Sequence, residues 1–592
     1  MFQSKFKNRL HFIFPLVTLV SCGKNDGSKD SIVGSGADGL EVTDKQNQSV
    51  ILNPNKLNMH SSADIQYFNG QLSVTDRLEV TEVNQAFSES YSFEWKNNMR
   101  NVKNSTNPEI DGLTYNVNGS TQIFDTTNSK FISFSFFDTE KKLLNEIAYK
   151  SSDLHQTVYN NEFVEFTGDQ KTAVKSALAE YEKIIDVKFV EVEEKGDQVG
   201  AIRFGISTGD FGQAAAFAVT PTDYWPDSSD VWVSYEHIGG SSLEQGSDYN
   251  FYLFMHEIGH ALGLSHPHEP KGVFNESLDS REFTIMSYND PDWAFANIEN
   301  TKIYTISNTL MVYDIQALQT LYGPNREFNT HNTLYSFDAS KPFSMTIWDA
   351  GGEDFMDFTN FDLGCEINLN EGEYSTIRYH DWNAENNLGI AFNTKIENVA
   401  GSQGDDIIYG NSLDNEIMGY NGNDQMYGGP GNDLFDSAAN SRNGQDIMFG
   451  GYGDDYYFFG EDIDLVFEYE NQGKDRIYLS ETTEYTLPEN IEELFGFGSA
   501  SLNLSGNELD NTLRGGAGDD RLTGNSGADN FLLYADMGND IVTDFDSSEG
   551  DEVLLAYGLN SYEYIELSTG VIYRLSDGSS LELVFNTDTE II

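Results

Sequence analysis

The sequence predicts a multidomain chain with two folded regions of different class: an α+β domain over residues 106–325 and an all-β parallel roll over residues 326–592. Three observations carry this division. Between residues 113 and 321, apolar residues alternate at strand spacing in some segments and recur at helical spacing in others. Beyond Tyr322, Gly, Asn and Asp dominate, Lys and Arg thin out, and nine-residue repeats begin at Gly401. The chain, 592 residues with 39% hydrophobic and 13% aromatic content, can build cores for about two to four domains of roughly 150 residues each.

The elements follow in chain order. Lys5, Lys7 and Arg9 precede an apolar run over residues 10–20, too short to cross a bilayer and of the length of a signal-peptide core. A polar stretch, residues 23–49, suits a tether. Residues 50–105 mix short apolar runs with Asn and Ser and point to no chemistry. Segments 113–117 and 131–136 alternate as strands do. Val174, Ala177, Leu178, Tyr181 and Ile184 fall on one helical face, with Thr167 or Asp169 as cap. Strands are predicted at 187–192, 201–206 and 213–219, and helices at 250–262 and 311–321, the last stopped by Gly323-Pro324.

Charge and cysteine content exclude whole classes. The chain has 34 Lys+Arg against 96 Asp+Glu, a net charge of −62, so no nucleic-acid partner is expected. Two cysteines in a chain of this length do not form a disulfide framework. A compact state this acidic repels itself unless cations neutralise it, and with few Lys and Arg those cations are expected to be metal ions.

The strongest local pattern is HEIGHALGLSH, His256 to His266. On a helix, His256 and His260 are four apart and share a face, so both imidazoles reach one metal at about 2.0–2.1 Å. Glu257 then points toward the open coordination position, and Gly263 ends the helix so that His266 supplies a third ligand. Three protein ligands with a fourth position left for water make a catalytic rather than a structural zinc site. Ile258, Ala261, Leu262 and Leu264 around them suit a buried site.

Thr284-Ile285-Met286-Ser287-Tyr288 follows, and with the helix text from Tyr313 to Gly323 and Trp348-Asp349-Ala350-Gly351-Gly352 the chain resembles the serralysin-like metzincin zinc metalloproteases. The resemblance implies an α+β metzincin-type domain, His256, His260 and His266 as zinc ligands, and Glu257 as general base and then acid. It also implies Met286 as a floor beneath the metal, and Tyr288 as a resting zinc ligand able to stabilise the oxyanion. Residues 213–219 resemble the edge strand along which metzincin substrates lie, which implies polypeptide substrates. His268, beyond Pro267, reads as solvated.

The repeats read GSQGDDIIY, GNSLDNEIM, GYNGNDQMY and GGPGNDLFD from Gly401, then SRNGQDIMF and GGYGDDYYF after a four-residue insertion. A second block holds GNELDNTLR, GGAGDDRLT and GNSGADNFL. This resembles the RTX pattern GGxGxDxUx, which implies a calcium-binding β-roll with U pointing inward. The candidate calcium ligands are Asp406, Asp424, Asp433, Asp446, Asp455, Asp520 and Asp529, while Asn415 and Asn511 stand where two repeats lack the Asp. Ile408, Met426, Phe435, Met448, Tyr457, Leu522 and Phe531 recur at the inward position, and without calcium the stacked carboxylates are expected to unfold the roll.

Leu19-Val20-Ser21-Cys22 resembles a bacterial lipobox, which implies a leader over 1–22, a lipid on Cys22, and a bacterial membrane as partner. An ordinary cleaved leader with free secretion is the alternative. Residues 23–105 are expected to be tether and possible pro-segment; they hold no cysteine after Cys22, so a cysteine-ligated latency switch is excluded there. Serralysins generally use an uncleaved carboxy-terminal signal, which residues 588–592 only partly resemble. Cys365 reads as a small buried apolar residue. A monomer is expected. The rival function is a non-catalytic calcium-binding surface adhesion protein, against which stand the intact Glu257 and three histidines; a zinc hydrolase acting on a non-peptide substrate is a further reading.

Overall fold

The computed structural model describes residues 99–585 apart from 104, 106, 118–119, 138–162, 195–198, 210, 212–213, 222–227, 239–247, 270–273, 299–300, 438–443, 460–463, 481 and 557–561, together with the strands at 40–43, 49–52 and 66–68. The predicted leader with Cys22, most of the tether, and residues 586–592 lie outside the described residues.

The amino-terminal half is α+β. Its strands are β1 (Phe131–Phe136), β2 (Lys188–Glu191), β3 (Ile202–Ser207), β4 (Ala216–Ala218) and β5 (Val231–Ser234). Their order is β4-β5-β3-β1-β2, with Phe163–Val164 also pairing with β3. β2, β1, β3 and β5 run parallel, whereas the edge strand β4 is antiparallel to β5. Central strands covered on both faces need apolar residues without alternation, and all six residues of β3 are buried.

Three helices share the core with this sheet: α1 (Gly168–Ile184), α2 (Asp248–Ala261) and α3 (Val312–Tyr322). Between the two predicted caps of α1, the structure selects Thr167. Its Oγ accepts the Gln170 N–H at 3.3 Å while Gln170 Oε1 accepts the Thr167 N–H at 2.8 Å, a reciprocal capping box. Val174, Leu178, Phe204, Ile258 and Leu318 meet in one core, each large apolar side chain contributing roughly 1.5–3 kcal/mol on burial. Gly323 ends α3 at φ 84°, and Pro324 follows.

Two local expectations differ. Residues 113–117 are not one strand: Asn107 caps a short helix, Pro108–Gly112, because Asn at the cap and Pro at the first position pre-organise a helical turn. Asn116–Val117 pair with Ser120–Phe124, whereas Thr114 bridges Leu264. Met99–Lys103, in the stretch with no clear signal, is a strand antiparallel to Ser120–Phe124. Arg100 fastens it to the end of α3, donating to the Leu321 carbonyl at 2.7 Å.

From Leu334 the chain coils between stacked parallel strands, a 12-stranded sheet on one side and 5- and 7-stranded sheets among those facing it. The inward residues stack in register, Ile408 on Met426 on Met448 and Ile417 on Phe435 on Tyr457. All are fully buried and form one continuous core. Cys365 belongs to that core as a buried free thiol.

Candidate metal centres

α2 carries His256, Glu257 and His260. Its end is set by Gly263 at φ 106°, a conformation that side chains rarely adopt. The chain then turns back and pairs with the segment after the first short helix: Tyr115 donates to the Gly263 carbonyl at 2.9 Å and Ser265 to the Leu113 carbonyl at 2.9 Å. This return strand delivers His266 to α2.

The three imidazoles converge. His260 Nε2 and His266 Nε2 are 3.0 Å apart, and the His256 ring centroid lies 4.9 Å from that of His260 and 5.4 Å from that of His266. Their ligand nitrogens can all address one point. The other nitrogens are fixed by main-chain carbonyls: His256 Nδ1 donates to Ile285 O at 2.8 Å and His260 Nδ1 to Leu264 O at 2.9 Å. That selects the tautomer whose Nε2 lone pair is free. Burial, and secondarily the neighbouring imidazoles, hold these rings neutral; His256 is pushed down to about 3. Neutral, oriented imidazoles with two ring nitrogens facing each other at 3.0 Å fit a zinc ion.

Glu257 is buried, its Oε2 has no hydrogen-bond partner, and burial pushes its carboxyl up to about 8. An orphaned carboxylate oxygen beside three metal-facing imidazoles fits a site whose partners are a metal and its water. The Tyr288 ring stacks over the His256 ring at 5.7 Å and sits 4.5 Å from that of His266. The side chain remains largely exposed, and partial burial raises its hydroxyl to about 12. His268 is not simply solvated: its ring stacks on His266 at 5.1 Å.

Met286 lies under α2. A methyl group on Gly259 would stand 2.8 Å from Met286 Sδ, so the helix meets the methionine turn only because residue 259 lacks a side chain. The turn is held from below by Asp314 of α3, whose carboxylate accepts the Thr284 hydroxyl at 2.6 Å and the N–H groups of Ile285 at 2.8 Å and Met311 at 3.0 Å. The Ile285 carbonyl in turn accepts from His256, and also from Tyr252 at 2.6 Å. Arg281 clamps the same loop, donating to Asp290 at 2.6 Å and to the Ser287 carbonyl at 3.1 Å. Gly259, Asp314 and Arg281 escaped sequence reasoning, although an Asp in the first turn of a helix is a legible capping signal.

The carboxylates of the roll form ladders. On one edge, the N–H of Asp406 donates to Asp424, that of Asp424 to Asp446, and that of Asp446 to Asp464, at 2.8–2.9 Å. On the other, Asn415 donates to Asp433, Asp433 to Asp455, and Asp455 to Asp475, at 2.7–2.9 Å. The second block repeats this from Asn511 to Asp529 to Asp551, and from Asp520 to Asp540. Asp464, Asp475, Asp540 and Asp551 were not singled out, because their turns depart from the nine-residue spacing.

Six of the seven predicted ligands separate into two kinds. Asp424, Asp433, Asp455 and Asp529 each keep a buried Oδ2 with no partner, as does Asp540. In these four turns the second residue, Tyr420, Gly429, Gly451 or Asn525, has positive φ. Asp406 and Asp520 differ: Oδ2 accepts the N–H of Ser402 or Gly516 at 2.6 Å, so the turn closes on itself. Asn415 and Asn511 close theirs the same way, accepting from Asn411 at 2.8 Å and Asn507 at 2.7 Å. Burial pushes Asp424 and Asp455 up to about 9, and Asp433 and Asp529 up to about 7. Unpaired buried oxygens stacked at successive turns fit calcium, a hard cation that takes oxygen ligands.

Comparison with known proteins locates three family matches along the chain. Residues 148–294 match the matrixin family, residues 312–508 the serralysin C-terminal family of M10 peptidases, and residues 505–542 the RTX calcium-binding nonapeptide repeat. The chain is similar to a serralysin of Proteus mirabilis, 30% identical over 283 residues, covering 43% of this chain and 56% of that protein. It is 33% identical to serralysin B of Dickeya chrysanthemi over 273 residues, covering 41% of this chain and 54% of that protein. The metallopeptidase AprA of Pseudomonas marginalis is 30% identical over 277 residues, 43% of this chain and 57% of that protein. The chain thus spans about half the length of the curated relatives it matches.

Proposed function

For this serralysin-like metzincin with C-terminal RTX repeats, we propose the activity of a zinc endopeptidase acting on extracellular polypeptides, carried on a calcium-dependent roll. One observation carries the reading: three imidazoles, two of them held by main-chain carbonyls, converge beside a buried carboxylate whose Oε2 has no partner. An adhesion protein has no use for that orphaned base, so the non-catalytic alternative is not favoured.

His256, His260 and His266 would hold zinc, which when bound polarises a scissile carbonyl and acidifies water. Glu257 Oε2 removes a proton from the attacking water and later delivers it to the leaving amine nitrogen. The Tyr288 hydroxyl donates to the carbonyl oxygen as negative charge develops there. The main chain of the edge strand β4 pairs with an extended substrate, a mode that reads backbone before side chains. Met286, Asp314 and Arg281 keep the ligand set in place.

In the roll, Asp424, Asp433, Asp446, Asp455 and Asp529 hold calcium, while Asp406 and Asp520 close their own turns. The chain divides into a leader at 1–22, a tether and pro-segment, a protease domain to about residue 325, and the roll from 326. The pairing of Met99–Lys103 with Ser120–Phe124 favours starting the protease domain near residue 99 rather than 106. Cys22 carries a lipid that anchors a monomeric enzyme at the bacterial envelope, with release to the medium as the second possibility. Among the described residues no helix is long and apolar enough to cross a membrane.

Casein hydrolysis tests the activity. The full chain, freed of any pro-segment, is expected to cleave casein, to lose activity to a zinc chelator, and to be silenced by Glu257→Ala. Equal inertness of the parent and the variant would refute it. Fractionation of a Cys22→Ser variant tests the anchor, which membrane association unchanged by the substitution would overturn.

A further inference from the structure

One coil of the roll breaks the glycine pattern at a telling place. Phe449 pairs in register with Phe467, so the residue that follows each occupies the same corner: Gly450, still within its strand, in one coil and Glu468, just past the end of its strand, in the next. Where glycine would leave the corner bare, Glu468 folds its side chain inward over Gly450. There it meets Tyr457, whose hydroxyl donates to Glu468 Oε1, and Gly451, whose N–H donates to Oε2 at 3.4 Å.

Three carboxylates now converge. Asp455, Glu468 and Asp475 each present an oxygen within 4.8 Å of the others, and all three are buried. Asp455 Oδ2 is fully enclosed, has no hydrogen-bond partner, and points at the same corner: a methyl group on Gly450 would run into it, into Glu468 Oε1 and into the Tyr457 hydroxyl. The cationic residues flanking Asp475 in the chain are engaged elsewhere, Lys474 and Arg476 both pairing with Glu493. The donors that reach the cluster, Tyr457 O–H, Gly451 N–H and the Asp433 and Asp455 amides, all favour ionised carboxylates. Three buried carboxyls face one another with no cation among the described partners, and only a cation among them would let all three ionise there.

We propose that Glu468 joins Asp455 and Asp475 in a three-carboxylate calcium site, and that this site holds the most tightly bound calcium ion of the roll. The ordinary turns offer carboxylates from two successive coils; this corner adds a third anionic ligand in an enclosed frame, and calcium affinity rises with ligand charge and rigidity. The inference rests on reading the roll as calcium-binding.

Full-length protein loaded with calcium and dialysed against a descending series of calcium buffers decides it, with bound calcium counted by atomic emission. The parent is expected to keep one ion per chain after the other ions have left. In Glu468→Gln that last ion should leave at a free calcium concentration at least about tenfold higher, the other ions releasing as before. Glu468→Asp, which keeps the charge but withdraws the oxygen, should shift the same step by less, and it stands in if the Gln variant does not fold. A last step that superimposes on the parent's would mean that Glu468 carries a proton and plugs the corner, overturning the proposal. No calcium on the parent at all would instead overturn the reading of the whole roll.

Discussion

Removal of calcium should make the roll's stability depend on pH with an unusual sign. Asp424 and Asp455 are fully buried, and burial raises both carboxyls to about 9, against about 4 in an unfolded chain. An acid whose folded pKa is raised contributes its stability in full below the unfolded pKa and loses it as pH climbs through the folded one. Between pH 5 and pH 8 the folded state therefore loses about three pKa units per group, on the order of 4 kcal/mol each. Two such groups account for about 8 kcal/mol, comparable with the roughly 5–15 kcal/mol that holds a typical domain together. Asp433 and Asp529, raised to about 7, add to the same trend. Melting followed by far-ultraviolet circular dichroism in a calcium chelator should thus place the roll's transition at least about 15 °C higher at pH 5 than at pH 8, or show no folded roll at pH 8. With calcium in excess the difference should vanish or reverse. A chelated protein that melts at the same temperature at both pH values, and as high as with calcium, would refute the reasoning.

Three substitutions probe the amino-terminal half. Gly259→Ala pushes a methyl to 2.8 Å from Met286 Sδ and should destabilise the domain by about 1–3 kcal/mol, read as a lower denaturation midpoint. Asp314→Asn removes the carboxylate that holds the Ile285 peptide behind His256, and should weaken zinc binding by about 10–100-fold in competition with a chromogenic chelator, with the fold intact. Tyr288→Phe removes the hydroxyl of a largely exposed ring and should lower kcat by about 10²–10³-fold while zinc content stays unchanged.

The elements of the amino-terminal half were legible because each is written locally. The helical face of Val174, Leu178 and Tyr181 is buried as its spacing demands, and HEIGHALGLSH specifies a helix, a stop and a return. What escaped is what the sequence does not keep together. Asp314 acts on a turn about thirty residues earlier, and Gly259 matters only once Met286 is placed beneath it. In the roll, the inward positions and most ladder carboxylates follow from the period of nine. The period cannot tell a turn closed by its own N–H, as at Asp406, from one left open, as at Asp424. That difference lies in the backbone of the second residue, Ser402 against Tyr420 at φ 71°. Glu468 was hidden for the opposite reason: it stands where the pattern asks for glycine. The net charge of −62 is in part this ladder, and the rest is spread over other surfaces.

Elemental analysis of the purified full chain tests the central claim most directly. One zinc per chain together with several calcium ions is the expected result, with zinc lost and calcium kept in a His260→Ala, His266→Ala double variant. A chain without zinc, or one whose zinc survives the loss of both histidines, would contradict the account.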